Sequence, residues 1–434
     1  MKQIIVAIFI AILTSLYIFP FNTIWLPAVN TKMAMATFGL ILFVYKGVMT
    51  RNARVSLPMF SVSICALLVS LVGCISVVIN NTNDFTYTSY FVSMWVWLGG
   101  AYVVIKSMEF AYGKVTFRMV GNFLIMVSII QCILAQIINA NEAMSNIVDS
   151  FMVSTGFMGK VEGRLYGIGC ALDVAGIKFS AILIIIAYLC ITPSFVQRKK
   201  LERTLYVCAF FIIAIFGSMI ARTTTVGLIL SLILWICLFF YRLIKNIEYD
   251  NLIKTFKTFV VLLLVLIPIL VFYYKTNPSF QENIRFGYEG FFSIVEKGEW
   301  SVRSNRMLQS MVVWPDNFKT WLIGDGYFEN PMNDFYYDGP AYAYYMGTDV
   351  GYCRFIFYFG LLGLGMFSFF FIIVATICSR NNPKYTIVFY MILLLNFIVW
   401  IKVSSDIFPV FALFLFLNEK DIKQQLSLKL KKSE

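Results

Sequence analysis

The run TFVVLLLVLIPILVFYY, residues 258–274, carries no charge and leads directly into the only long polar interval of the chain, Lys275 to Asp349. Its length suffices for one helix to cross a bilayer. Working outward from it, similar apolar runs occur near 3–20, 33–49, 57–79, 88–106, 119–140, 171–192, 204–221, 225–241, 350–378, 385–401 and 406–418. The sequence therefore predicts an all-α polytopic integral membrane protein with about twelve transmembrane helices. Nine of these fall in 1–274 and three in 350–418, with one large loop (275–349) between them and a basic tail (419–434) at the end. The opening Met-Lys and the run Ile4 to Phe19 have the shape of a signal peptide, but no small-residue cleavage site follows. They read as a retained first helix.

Composition agrees, since 60% hydrophobic and 13% charged residues lie far outside the soluble range. The net charge of +12 would suit nucleic acid only on a soluble basic face. With the N-terminus inside, most basic residues fall on one side of the membrane, among them Lys46, Arg51, Arg118, Arg198, Lys199, Lys200, Arg242 and the tail Lys420 to Lys432. Lysine and arginine mark the cytoplasmic side, so both termini are expected to be cytoplasmic and the 275–349 loop extracytoplasmic. The charge is topological, and no nucleic-acid partner is expected.

The nine cysteines lie within or at the ends of apolar runs, with neither a disulfide framework nor zinc spacing. No histidine is present, which excludes a histidine relay and imidazole ligands. Neither a metal nor a cofactor is expected.

A loop of about 75 residues without a span of its own is usually functional. Ser301 or Ser304 is suited to cap a helix running through Arg306 and Met311 to Trp314, ended by Pro315. Asp316 is suited to cap a second, ended by Gly324-Asp325-Gly326. On the first, Arg303 and Arg306 share a face. Two guanidiniums side by side suit a diphosphate, because each offers a planar fork of donors that stays charged. The plainer reading pairs them with Glu296, Glu299 or Asp316. Trp314, Trp321, Tyr327, Tyr336 and Tyr337 are interleaved with Asp and Asn, a composition suited to stacking on sugars, although interfacial Tyr and Trp also serve as membrane anchors.

Arg222 lies in a very short link between two spans, where an ionisable residue is costly and points to function, with a snorkelling anchor as the alternative. Arg164 precedes the sixth span on the same side. Asp173 and Lys178, inside that span, are placed to neutralise each other.

Several of these segments together resemble the O-antigen polymerase and O-antigen ligase superfamily. They are Ala221-Arg222-Thr223-Thr224, the stretch Arg303 to Gly326 ending in Trp321-Leu322-Ile323-Gly324-Asp325-Gly326, and Gly347-Thr348-Asp349-Val350-Gly351-Tyr352 running into Phe359-Gly360-Leu361. Gly163-Arg164-Leu165-Tyr166-Gly167 is a weaker fourth match. The resemblance implies a GT-C-like glycosyltransferase in the bacterial inner membrane, working at the periplasmic face without metal and with inversion. Its implied reaction transfers a growing glycan from undecaprenyl diphosphate onto another lipid-linked repeat unit, with a chain-length regulator as partner. Arg222, Arg303, Arg306 and Arg164 would take the diphosphate. Where the ligases carry a histidine this chain has Asp349, which favours the polymerase branch. Asp349 is the first choice of general base and Asp325 the second; a helix N-cap and a turn residue are their ordinary alternatives. A flippase of lipid-linked oligosaccharides, an O-antigen ligase and a non-catalytic envelope-assembly protein are the competing readings.

Overall fold

The computed structural model describes residues 2–50, 56–153, 164–192, 199–245, 250–331 and 344–418. Ten helices precede the polar interval: α1 (Lys2–Ile18), α2 (Thr31–Thr50), α3 (Leu57–Asn80), α4 (Tyr90–Tyr112), α5 (Phe117–Ala140), α6 (Glu142–Phe151), α7 (Leu172–Ile191), α8 (Lys199–Ile220), α9 (Thr224–Ile244) and α10 (Asp250–Thr276). The interval itself contains α11 (Pro278–Gly287), α12 (Glu289–Lys297), α13 (Arg303–Ser310) and α14 (Phe318–Ile323). After it come α15 (Gly351–Asn381), α16 (Thr386–Val399) and α17 (Phe408–Leu415). A two-stranded antiparallel pair, Asn22–Thr23 with Leu26–Asn30, follows α1.

Among the described residues nine helices are long and apolar enough to cross a membrane. The chain is thus an all-α, multi-pass membrane protein. The first and the last two predicted spans correspond to shorter helices, of 17, 14 and 8 residues. Helix ends follow local chemistry. Ser56 caps α3 by accepting from the Met59 amide, and Asn81 ends it in the left-handed region (φ 52°). Asn277 caps α11, which has proline in its first turn.

The chain forms two compact units, one of residues 1–34 and 106–300, the other of 35–105 and 301–434. The boundary between Trp300 and Ser301 divides the polar interval, so α11 and α12 belong to the first unit while α13 and α14 belong to the second. Hydropathy gave no hint of this, because no apolar run long enough to cross a membrane marks the boundary within the interval.

In the first unit α7 is the core. Every residue from Ala175 to Ala187 is buried, and small residues let α9 approach closely. A Cβ on Gly227 would sit 2.2 Å from the Ser180 Cα, and the Ser180 hydroxyl donates to the Thr223 carbonyl (2.8 Å) while accepting from the Gly227 amide. Such contacts hold helices together where hydrophobic exclusion gives little drive. In the second unit α15 packs along α3 and α16, and Tyr87, Phe355, Phe359, Phe367 and Trp400 form a buried aromatic cluster of edge-on and stacked rings.

Candidate functional site

In the first unit two arginines meet over one phenylalanine. Arg222 sits in the three-residue link between α8 and α9. Its Nε donates to the Phe286 carbonyl (2.9 Å), its Nη2 lies 2.7 Å from Glu289 Oε2, and its Cζ is 4.2 Å from the Phe286 ring centre. The Arg164 guanidinium lies over the same ring at 4.8 Å. The segment carrying Arg164 is fixed from two sides. The Leu165 amide donates to the Met219 carbonyl, and the Gln131 side chain on α5 bonds both backbone groups of Ile168.

The Arg164 Nε is buried with no hydrogen-bond partner among the described residues. Burial draws this guanidinium below its ordinary pKa, the Asp173 carboxylate opposes that, and the Arg222 charge adds to it. The arrangement is two guanidiniums over one ring, Arg222 paired with Glu289 and Arg164 with a buried Nε that has no partner among the described residues, beside the Asp173 carboxylate. Asp173 accepts from the Thr223 hydroxyl, while the Lys178 ammonium rests over the Phe19 ring at 5.5 Å.

In the second unit the site is built on a broken helix. α15 departs from helical geometry at Phe359 (φ −135°, ψ 15°) and Gly360 (φ 65°, ψ −170°). Carbonyls that a continuous helix would use itself are met instead by the Gly324-Asp325-Gly326 turn. The Asp325 amide donates to the Phe357 carbonyl (2.6 Å) and the Gly326 amide to that of Tyr358 (3.1 Å). The end of α3 completes the join. Ser76 donates to the Tyr358 carbonyl (2.6 Å), Asn80 to that of Gly324 (3.1 Å) and Thr82 to that of Gly326 (2.9 Å). Only glycine allows so close an approach, since a Cβ on Gly324 would lie 2.5 Å from the Tyr358 carbonyl carbon and one on Gly360 2.2 Å from that of Leu322.

This join presents Asp325. Its Oδ1 accepts from Thr320 (2.6 Å) and lies 3.8 Å from Lys319 Nζ, and its Oδ2 accepts from the Tyr345 hydroxyl (3.3 Å). Asp349 is about one-third exposed, and its Oδ1 lies 3.9 Å from Nη1 of Arg354. Arg354 is buried. It donates to Ser404 (2.9 Å), to the Phe328 carbonyl (3.1 Å) and to Glu329 (2.7 Å), and it stacks over Phe328 and Tyr344. Around Asp325, Tyr327 packs on Tyr345 at 5.2 Å, and Trp314 stacks on Trp321 at 5.7 Å with its own ring half exposed. Among the described residues no three His, Cys, Asp or Glu side chains gather as metal ligands would.

No family model, curated protein or solved structure matches the chain.

Several sequence expectations change at this scale. The helix expected to reach Trp314 stops at Ser310, and its N-cap is Val302, not Ser301 or Ser304. The second helix is capped by Asn317, whose side chain accepts from the Thr320 amide, not by Asp316. Asp349 is not the N-cap of α15, a position held by Val350. Arg303 and Arg306 ride on α13, which has no buried residue, and Glu296, one acid offered to them, pairs with Arg285 at 2.8 Å. Tyr336 and Tyr337 lie outside the described residues.

Phe286, Glu289 and Arg354 were missed as site residues. A charge inside the 350–378 apolar run marked Arg354, but nothing local marked the other two.

Proposed function

We propose that this protein polymerises lipid-linked oligosaccharides at the periplasmic face of a bacterial inner membrane. The growing glycan leaves undecaprenyl diphosphate and is joined to the sugar of another lipid-linked repeat unit. The bond from the anomeric carbon to the diphosphate oxygen breaks, a bond to the acceptor hydroxyl oxygen forms, and the hydroxyl proton passes to a carboxylate. The observation that carries this reading is the pair of guanidiniums over Phe286, one with a buried donor that has no partner among the described residues. Such donors stabilise charge developing on a departing diphosphate most where water is scarce.

Asp349 and Asp325 are the carboxylates available as base. Asp325 accepts from Thr320 and Tyr345 and the Asp349 carboxylate lies 3.9 Å from Arg354; the position of Asp349, where the ligases that the chain resembles carry a histidine, keeps it the first choice. The exposed, stacked Trp314 suits a sugar face. A transporter of the same lipid-linked sugars is the second reading, favoured by Lys178 and Arg354, cations buried within long helices.

The test gives purified protein a lipid-linked repeat unit without added metal and compares it with Arg222→Ala and Asp349→Asn. A ladder of longer glycans from native protein, lost in both folded variants, supports polymerisation. Movement of the lipid between vesicle leaflets without a ladder would establish the transporter.

A further inference from the structure

Helix α15 is longer than a membrane requires. Its 31 residues span about 46 Å, whereas the hydrocarbon core of a bilayer is about 30 Å thick. The helix breaks at Phe359 and Gly360, and from Gly360 to Asn381 it runs roughly 32 Å, close to that thickness. The far end carries Arg380, with Lys384 just beyond it, as the charged edge of a span does. The break therefore marks where α15 leaves the hydrocarbon, and Gly351 to Tyr358 stand beyond it.

The same level is fixed independently by α3. This is a membrane-length helix of 24 residues that ends at Asn80. It meets the break through the hydrogen bonds of Ser76 to the Tyr358 carbonyl and of Asn80 to the Gly324 carbonyl. Two membrane-crossing helices thus place Gly324, and with it the end of α14, at the boundary between hydrocarbon and headgroups.

The side chains of α14 have the chemistry of that boundary. Phe318 and Leu322, four residues apart on one face, are 78% and 39% exposed. Thr320, on the opposite face, is buried and bonds Asn317 and Asp325. The Leu322 carbonyl lies against Gly360, and the next two residues of α15, Leu361 and Leu362, are half exposed on the surface of a membrane-crossing helix. The open face of α14 therefore continues a lipid-facing surface. Trp321 and Lys319 are residue types that anchor a segment at this level, and the Lys319 ammonium reaches to 3.8 Å from the Asp325 carboxylate.

We propose that α14 lies in the surface layer of the bilayer, with Phe318 and Leu322 inserted at the boundary between acyl chains and headgroups, and that this anchor holds the Gly324-Asp325-Gly326 turn at headgroup height. The partner is the lipid surface itself. Asp325 then meets a reactant at the membrane surface and not in the solution beyond it. The anchor does not depend on which reaction the protein performs.

A contrast is supplied by α13. Leu308, Met311 and Val313 pack on Val350, Cys353 and Phe357, the part of α15 beyond the break, and Cys353 stands about 10 Å above Gly360. Met307 on α13 is apolar and half exposed, but at this height it faces water.

The test places the photoreactive amino acid benzoylphenylalanine singly at positions 318, 322, 362 and 307 of the full-length protein in vesicles of phosphatidylethanolamine and phosphatidylglycerol, and identifies the adducts by mass spectrometry. All four positions are exposed, so each tolerates the added ring, and a native melting temperature checks the fold. Lipid adducts are expected at 318 and 322 as at 362, and none at 307. A second measurement reads the emission that Phe318→Trp adds to the native protein, in lipids brominated near the headgroup or near the chain ends. Shallow bromines are expected to quench it more than deep ones. Lipid capture at 362 without capture at 318 and 322 would overturn the proposal. Adducts from 318 to a second copy of the protein, lipid adducts at 307 equal to those at 318, or stronger quenching by deep bromines would overturn it equally.

Discussion

Replacing Gly360 by alanine tests the join between the broken helix and the Gly324-Asp325-Gly326 turn. Gly360 has φ 65° and ψ −170°, a region almost closed to residues with a Cβ, and forcing alanine there costs about 1–3 kcal/mol. The added Cβ would also lie 2.2 Å from the Leu322 carbonyl carbon and oxygen, so α14 must move. Moving it strains the two backbone hydrogen bonds from Asp325 and Gly326, worth about 1 kcal/mol each. The sum is about 3–5 kcal/mol. At roughly 1 °C per kcal/mol for a chain of this size, the melting temperature in detergent falls by about 3–5 °C. Gly365→Ala is the control on the same helix. Its Cβ would meet nothing within 4 Å, and alanine gains about 0.5–1 kcal/mol over glycine in a helix. Thermal unfolding of both variants, followed by tryptophan fluorescence, reads the difference. Equal melting temperatures for the two would refute the account of the break as a glycine-dependent interlock.

Other expectations follow from the same geometry. Thr82→Val keeps the shape but strips the Gly326 carbonyl of its side-chain donor, and the unfolding midpoint should register a loss of about 1–3 kcal/mol; no loss would mean water replaces the hydroxyl. Arg222→Lys retains charge but not the simultaneous grip on Phe286 and Glu289, so the glycan transfer proposed for this protein should fall about tenfold or more, with undiminished transfer counting against a bidentate role. Arg354→Met removes its hydrogen bonds to Ser404, Phe328 and Glu329, and a destabilisation of about 1–3 kcal/mol should appear in denaturant titration. Burial pushes the Tyr288 phenol up to about 12, against a weaker pull from Ser218. Because the folded value is raised, its contribution is intact below the ordinary phenol pKa and is lost as pH climbs from about 10 to 12. Tyr288→Phe should flatten that part of the stability profile, and an unchanged profile would exclude Tyr288 as its source.

Much of the architecture was legible because a bilayer demands it. Long uncharged runs have few alternatives to becoming helices in hydrocarbon, and α3, α5, α7, α8, α9 and α10 lie where hydropathy placed them. Arg222 was legible for a related reason, as a charge confined to a link too short to carry it far from the membrane. Within the polar interval local pattern lost its hold. Asn317 and Asp316 are adjacent residues of similar capping ability, and only the turn geometry chose between them. The division at Trp300 and Ser301 left no mark in composition at all.

The amino-acid sequence by itself determined that the chain is built of apolar helices fit to cross a membrane, though not how many reach that length, that it holds no histidine, and which few charges sit where charge is expensive. Tertiary structure alone decided that Arg164 and Arg222, 58 residues apart, share the ring of Phe286, and that Gly360 opens a helix so that Gly324 to Gly326 can bond to it. The physical reason is one of range. Hydropathy and capping act over a few neighbouring residues, whereas a cation finds its ring, and a broken helix its replacement donors, only after distant segments have packed.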